Sequence, residues 1–357
     1  MQLDKSEIIY KRLISNNLHS YYAHEIDQFL AFTGPVQAQD SAQAFWAIAS
    51  RFEALNAHDI NQALEKKKII RTWSLRGTLH MMRREDVSWL VDLVGPLYNA
   101  RQKGTLTKAG FSEEDLEKSI RALRQHLVNG PISRKEIYEI HRSMGISVEG
   151  LRGGFLMYHA GMKGLICPIG HEEGMYDLQE RWVGSDVERP SNGEEELARR
   201  YFQSHGPATI EDFCHWSSLT KTAAKKAIEN LSNLNHYSCN GKSYFALGDL
   251  EGEFPQMPIV HLLAGFDEYI LGYKDRTLVL REDIFHRVVS VNGIFRPTVL
   301  IHGEVAGIWK RSIKQDGVQV DFELFQIINA KQKDALYACA ERFKQFLQVE
   351  KLEVKGL

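Results

Sequence analysis

The spacing of apolar residues changes from a helical to an alternating pattern at three places in this chain of 357 residues, and this change most constrains the fold. Up to residue 67 the apolar residues recur at helical spacing. From Ile70 onward apolar and polar residues alternate as in a strand, Arg76-Gly77 turns the chain, and residues 78–82 return. Helices followed by such a hairpin predict a winged-helix unit, which is a helix-turn-helix with a two-stranded wing.

The same order of elements recurs twice more. One later hairpin ends near Leu178, and the other is turned by Asn240-Gly241, a strong signal for a tight β-turn. The mostly apolar stretch 150–158 in the second unit is predicted to be buried scaffold. The helices predicted ahead of the two hairpins cover 113–128, 133–144, 147–162, 193–204, 209–217 and 220–233.

Beyond residue 259 the chain becomes rich in short β-like segments separated by glycine turns. The predicted strands cover 259–263, 277–280, 288–291, 296–301, 304–309, 318–324 and 352–354, with a helix over 331–347. We therefore predict an α+β protein in which tandem winged-helix units precede a small, barrel-like C-terminal β-rich domain. The predicted units are 1–110, 111–185, 193–250 and 259–357, with linkers over 183–196 and 250–258.

The composition, with 43% hydrophobic and 25% charged residues, is that of a soluble globular protein. We expect a cytoplasmic, nucleoid-associated monomer, because the chain shows no signal-peptide core, no apolar run of about 18 residues and no heptad repeat. The net charge of −2 does not suggest a basic nucleic-acid binder, although a local basic face would suffice for binding. No cofactor or metal is expected, because the chain has neither a phosphate-binding glycine loop nor a Cys/His cluster.

A short segment between two helices carries unusual chemistry. Gly34-Pro35 ends the first helix, and Asp40 is expected to cap the next one in a capping box with Gln43. The residues between them, Gln37-Ala38-Gln39, would then be extended, which places both glutamine side chains on the same side. Two neutral carboxamides would therefore offer hydrogen-bond donors and acceptors side by side.

Three stretches in combination resemble a known family. They are Gly34-Pro35-Val36-Gln37-Ala38-Gln39-Asp40, Arg71-Thr72-Trp73-Ser74-Leu75-Arg76-Gly77-Thr78-Leu79-His80, and the run from Leu263 to Arg276. Together they resemble the AlkZ-type winged-helix DNA glycosylases. The resemblance implies tandem winged helices, a catalytic Gln-x-Gln motif at Gln37 and Gln39, and a branch associated with bulky alkyl adducts and interstrand crosslinks. The expected partner is alkylated double-stranded DNA.

Purine alkylated at N7 is positively charged, so its glycosidic bond needs little acid catalysis to break. We hypothesise that Gln37 orients a water or the sugar, and that Gln39 assists it. Trp73, Thr78 and His80 are candidates for lining the site, although Trp73 and His80 also fit a buried core. Without the resemblance, the two glutamines could simply satisfy backbone groups in the loop.

Basic residues on the predicted helices and wings are candidate contacts to DNA phosphate, although a lysine stripe also fits a solvated surface. They are Lys66, Lys67, Arg76, Lys221, Lys225, Lys226 and Lys242. Asp267, Glu268, Asp275 and Arg276 are expected to form a structural ion-pair network. Two other functions fit the same fold: a non-catalytic winged-helix regulator in which Gln37 and Gln39 read adenine edges, and a protein-interaction scaffold.

Overall fold

The computed structural model describes residues 1–22, 24–170, 174–248, 250 and 259–357. The first unit combines helices with a three-stranded antiparallel sheet in the order β1-β3-β2. Its elements are α1 (Lys5–Ser15), α2 (Ile26–Thr33), β1 (Val36–Gln37), α3 (Ser41–Ala49), α4 (Ala57–Glu65), β2 (Ile69–Trp73), β3 (Leu79–Arg83) and α5 (Val87–Lys108). Gly34, with a φ of 79°, ends α2, and the Asp40 side chain caps α3, so β1 occupies the short extended stretch between the two helices.

The second unit repeats the plan with a sheet in the order β4-β6-β5. Its elements are α6 (Glu113–Leu127), β4 (Ile132–Ser133), α7 (Arg134–Ser143), α8 (Arg152–Met162), β5 (Ile166–Pro168), β6 (Met175–Leu178) and α9 (Gln179–Val183). Helix α8 packs against β2 of the first unit, and most of its residues from Leu156 to Met162 are buried. Of the predicted buried stretch 150–158, only Gly153, Leu156 and Met157 are buried, and Leu151 is 77% exposed, so the start of the stretch lies at the surface.

The sequence pattern does not predict the 22-residue helix α5, because it contains Gly95 and Pro96 in its interior. The structure gives a packing reason for the glycine. A Cβ atom on Gly95 would lie 2.4 Å from the Met162 carbonyl oxygen, so only glycine lets α5 approach α8 this closely.

The third unit contains three helices and a two-stranded wing, close to the predicted positions. Its elements are α10 (Gly193–Ser204), α11 (Ile210–Ser217), α12 (Lys221–Glu229), β7 (Leu234–Cys239) and β8 (Lys242–Leu247). Asn240 and Gly241 both have positive φ values, 47° and 75°, which the tight turn between antiparallel strands requires. Residues 184–192, within the predicted first linker, are irregular. The predicted second linker lies outside the described residues except at Leu250.

The C-terminal domain is built on an open five-stranded sheet in the order β13-β12-β11-β10-β9, which corrects the expectation of a barrel. Its elements are β9 (Val260–Leu263), α13 (Glu268–Leu271), α14 (Phe285–Val288), β10 (Thr298–Ile301), β11 (Glu304–Ile313), β12 (Gly317–Leu324), α15 (Ala330–Leu347) and β13 (Lys351–Lys355). Two predicted strands were wrong, since 277–280 forms turns and 288–291 overlaps the end of α14. Val279, Leu280 and Val288 are nevertheless buried, and a short apolar run does not reveal whether it is buried as a strand or as a turn.

Buried side chains connect the units. The largest apolar cluster draws residues from all three helix-and-hairpin units, including Trp73, Leu123 and Trp216. A second cluster joins α2, α3 and α4 to the C-terminal sheet and α15, where Trp46 packs edge-on against Phe343. Within the described residues, none of the helices has the length and apolarity of a membrane span. The shared cores place residues from distant parts of the sequence around the β1 segment.

Candidate active site

The segment around Gln37 lies against the first hairpin. Gln37 pairs with His80 across the β1–β3 ladder, and the Ala38 amide donates to the Leu79 carbonyl oxygen at 2.7 Å. Ala38 is fully buried in the core, whereas Gln39 is exposed and Gln37 is 8% exposed. The chain is therefore extended at Gln37, as predicted, but bends at Gln39, and Ala38 is buried in the core between the two glutamines.

Both carboxamides hydrogen-bond to residues of the hairpin turn. The Arg76 Nη2 group donates to Gln37 Oε1 at 3.2 Å, and the Leu79 backbone amide donates to Gln39 Oε1 at 3.3 Å. Arg71 holds the same segment from β2 by donating to the Ala38 and Gln39 carbonyl oxygens. Both glutamine side chains therefore face the hairpin turn at residues 76–79.

Arg76 forms a buried ion pair with Glu268, at 3.0 Å between Nη2 and Oε1. The Arg76 side chain is 12% exposed, and its backbone is left-handed with a φ of 55°. The low exposure and the contact with Glu268 show that the guanidinium points inward. This position corrects the expectation that Arg76 contacts phosphate from the tip of an exposed wing.

Glu268 collects contacts from three parts of the chain. Its Oε1 accepts from the Gln37 backbone amide at 3.3 Å, and its Oε2 accepts from Trp216 Nε1 at 3.0 Å. The His205 Nε2 atom lies 3.8 Å from Oε2. Burial alone would raise the pKa of Glu268, but the Arg76 charge and the nearby His205 ring lower it to about 2. The carboxylate is therefore charged at neutral pH, and both of its oxygens accept hydrogen bonds.

The three candidates for lining the site occupy different environments. His80 is fully buried, and burial together with the Arg76 charge lowers its pKa to about 3. Trp73 is 9% exposed and packs on Gly161 in the shared core. Thr78 is partly exposed and donates to the Leu75 carbonyl oxygen at 3.3 Å. Of these three, only Thr78 retains appreciable exposure, and the burial of Trp73 and His80 fits the alternative that both belong to the core.

The predicted capping box at the start of α3 is only half formed. The Asp40 carboxylate accepts from the Gln43 backbone amide at 3.1 Å, as expected. The Gln43 side chain instead accepts from the Gly265 amide at 2.7 Å, which ties the helix start to the C-terminal domain. A tertiary contact has replaced the reciprocal local bond.

The family model described as DNA glycosylase AlkZ-like matches residues 31–346 of this chain. The chain belongs to the AlkZ-like DNA glycosylase family. An interstrand DNA cross-link repair glycosylase of Streptomyces sahachiroi is 25% identical to it over 296 residues, which cover 77% of this chain and 79% of that protein. The solved structure of Streptomyces sahachiroi DNA glycosylase AlkZ has the same fold, with a TM-score of 0.82 and 22% identity over 99% of both chains.

Membership of the AlkZ-like family confirms the prediction of a DNA glycosylase over the non-catalytic alternatives. DNA is accordingly the partner of this protein. The matched region includes the segment with Gln37 and Gln39 and the hairpin turn that the two amides contact.

Three predicted DNA contacts of this AlkZ-like chain line one cleft in the third unit. This lysine cleft has a volume of about 780 Å³ and is lined by Lys221, Lys225, Lys242 and Lys274. Lys221 pairs with Glu211 at 2.5 Å, and Lys242 pairs with Asp275 at the same distance. The cleft wall also includes Asp212, so four lysines face three acids.

The remaining lysines lie elsewhere. Lys226 is exposed on α12 and is not part of the cleft wall. Lys66 is exposed and donates to Gln62 at 3.0 Å. Lys67 is half-buried, donates to the Arg181 carbonyl oxygen and lies over the Trp182 ring. The Lys67 contacts within the protein give it a structural role that the sequence does not suggest.

Sequence reasoning missed the importance of Glu268 and Trp216. The ion-pair network expected at residues 267–276 exists, but its members pair with distant residues. Asp267 forms a double hydrogen bond with the buried Arg51, and Glu268 pairs with Arg76. The signal was an acidic pair directly before the apolar run Tyr269-Ile270-Leu271, because acids are rarely fully buried unless they are paired.

Proposed function

We propose that this protein hydrolyses the N-glycosidic bond of N7-alkylated purines in double-stranded DNA and leaves an abasic site. Its substrates would include bulky adducts and interstrand crosslinks. Gln37 and Gln39 are the proposed catalytic residues, and the name of the Streptomyces sahachiroi relative supports action on crosslinks.

One observation carries this proposal. The two side chains that carry the proposed chemistry are uncharged carboxamides, and the carboxylate that accepts from the Gln37 backbone amide is Glu268, which is buried and bound to Arg76. A carboxylate in this state is a poor general base, because its pKa is about 2 and its oxygens are occupied. Such a site favours a substrate whose leaving group is already activated.

An N7-alkylated purine meets that requirement. Water attacks C1′ and forms the new C–O bond, while the electron pair of the C1′–N9 bond moves onto the base. The base leaves as a neutral N7-alkylpurine because those electrons cancel its positive charge, and the proton of the attacking water passes to solvent. The glutamines need only hold the water and the sugar in line, and such positioning can supply much of the barrier reduction.

The lysine cleft supplies a second element of the proposal. Lys221, Lys225 and Lys242 would contact the phosphate backbone, with Lys226 and Lys66 as outer contacts. Phosphate contacts position a duplex without reading its sequence, as a repair enzyme with scattered substrates requires.

A base-release assay tests this function. Purified protein is incubated in excess with duplexes carrying N7-methylguanine or a nitrogen-mustard crosslink, and released base and abasic sites are quantified. We expect release by the wild type and a loss of about 10²-fold or more in the single-turnover rate for Gln37→Ala, with a smaller loss for Gln39→Ala.

Gln345→Ala provides the matched control, because Gln345 is an exposed glutamine on α15. This variant should release base as fast as the wild type. If Gln37→Ala also does so, the assigned catalytic role is wrong. If the wild type releases no base from either duplex, the proposed substrate class is wrong.

A further inference from the structure

The orientation of the Gln37 carboxamide follows from its contact with Arg76. Nη2 of Arg76 lies 3.2 Å from the Gln37 side-chain amide. A guanidinium has only donors, so the amide atom facing it must be the carbonyl oxygen and not the nitrogen. In the described part of the chain, Nε2 of Gln37 neither donates a hydrogen bond nor belongs to the buried polar atoms without a partner. The NH₂ end of the amide therefore reaches solvent.

Arg76 is itself held in place by Glu268. Oε1 of Glu268 accepts from Arg76 Nη2 at 3.0 Å and from the Gln37 backbone amide at 3.3 Å. Its other oxygen is fixed by Trp216 at 3.0 Å. One carboxylate thus holds both the backbone of Gln37 and the guanidinium that binds the Gln37 side chain.

We propose that Arg76 and Glu268 are a positioning pair that fixes the Gln37 carboxamide with its carbonyl oxygen inward and its NH₂ group toward the DNA. This inference rests on the proposed function. It changes the expected chemistry of the segment, because the group presented outward is a donor and not the carbonyl acceptor.

Gln39 has the same orientation for an independent reason. Its Oε1 atom accepts from the Leu79 backbone amide, which can only donate. Both carbonyl oxygens therefore face the hairpin turn, and the NH₂ groups are at the opposite ends of the amides. One such donor can hold an attacking water through one lone pair of its oxygen, and the second lone pair remains available to attack C1′. The Arg76 charge polarises the Gln37 amide and strengthens its N–H donors.

A double-mutant cycle tests whether Arg76 acts through Gln37. We compare single-turnover base release for wild type, Arg76→Met, Gln37→Ala and the double variant. We expect Arg76→Met to lose about 10²-fold in rate in the wild-type background and to lose nothing further in the Gln37→Ala background. Arg76→Lys should recover part of the loss, because an ammonium can still pair with Glu268 and donate to Gln37.

Arg200→Lys controls for the general cost of altering a buried arginine. Arg200 is 4% exposed and pairs with Asp86 at 2.5 Å, outside the glutamine network. This variant should melt at a lower temperature and keep the wild-type rate. If the Arg76 variants lose rate by the same factor in both backgrounds, the positioning role is overturned while the proposed function stands. Should Arg76→Met fail to fold, the same cycle is run with Arg76→Lys.

NMR of the glutamine side chains tests the contact between Arg76 and Gln37 without measuring base release. It therefore applies even when Gln37→Ala is too slow to measure or the wild type releases no base. In protein labelled with ¹⁵N at glutamine side chains, the Gln37 signal is identified by its disappearance in Gln37→Ala. We expect this signal to shift in Arg76→Lys and the Gln345 signal to stay in place. An unshifted Gln37 signal would show that Arg76 does not fix the amide.

Discussion

At the scale of single residues, the site contains one buried charge pair surrounded by neutral histidines. The His80 Nδ1 atom lies 2.9 Å from the Thr78 carbonyl oxygen and therefore carries the proton. Its Nε2 atom is therefore unprotonated, and it faces Arg76 Nη2 at 3.4 Å. Burial and the Arg76 charge lower the His80 pKa to about 3, which keeps the ring neutral. Because the ring is neutral, Glu268 is the residue that balances the Arg76 charge in this network.

His80 should make the stability of the protein depend on pH. Its folded pKa of about 3 is below the unfolded value of 6.5, so the unfolded chain binds a proton first and stability falls as pH drops below 6.5. We expect the free energy of unfolding to depend less steeply on pH in His80→Gln than in the wild type. The slope should be smaller by about 1.4 kcal/mol per pH unit between pH 6.5 and about 3. Urea unfolding at a series of pH values measures these slopes.

His261 provides an independent comparison, because burial lowers its pKa to about 3 as well. The variant His261→Gln should show a similar decrease in slope. Parallel curves for wild type and His80→Gln would contradict the assignment of a neutral, buried imidazole.

At the scale of secondary-structure elements, the first hairpin is fixed by its contact with helix α8. Trp73 at the end of β2 packs directly on Gly161, where a Cβ atom would lie 2.1 Å from Trp73 Cε3. Trp73 also stacks with Tyr176 of β6, with 6.4 Å between ring centroids. The hairpin turn that holds both glutamines is thus supported by the second unit.

Gly161→Ala should destabilise the protein by about 1–3 kcal/mol, because the new methyl group cannot fit between α8 and Trp73. Gly154→Ala lies on the same helix, where a Cβ atom meets nothing within 4 Å. This control should stabilise the protein by about 0.4–1 kcal/mol, because alanine restricts the unfolded chain more than glycine does. Equal unfolding free energies for the two variants, measured in urea, would show that the close approach is not present.

At the scale of the whole molecule, the glutamine segment and the lysine cleft belong to different units that meet at Trp216. The Arg76 Nη1 group donates to the Trp216 carbonyl oxygen at 3.5 Å, and the Trp216 ring packs on Gly34. Lys221 and Lys225 follow Trp216 on the next helix. The position of the cleft relative to the glutamines is therefore set by buried contacts.

Lys225→Ala should weaken binding to undamaged duplex DNA uniformly across sequences. Removing one phosphate contact is expected to reduce the slope of log affinity against log salt by about one. The exposed Lys333 on α15 lies outside the lysine cleft, and Lys333→Ala should change neither affinity nor slope. Titrations at several salt concentrations measure both quantities. An unchanged slope for Lys225→Ala would show that Lys225 does not contact DNA phosphate.

Much of the local structure was determined by the sequence alone. Asn240-Gly241 specifies a tight turn, Asp40 caps a helix, and the change of apolar period at Ile70 marks the first hairpin, because each depends on neighbours along the chain. The glutamine pair was recognised from its motif. Helix α5 and the turn at 277–280 were missed, because a glycine-proline pair and a short apolar run are ambiguous without knowledge of what packs against them.

The tertiary structure alone decided how the glutamines are oriented. Arg76 and Glu268 are separated by 192 residues and come together only because buried clusters join the first unit, the third unit and the C-terminal domain. A local pattern predicts that Arg76 is at a turn but not that its guanidinium points inward to a buried carboxylate. The physical reason is that hydrogen-bond direction and burial depend on atoms contributed from distant parts of the chain, and these meet only after the cores have packed.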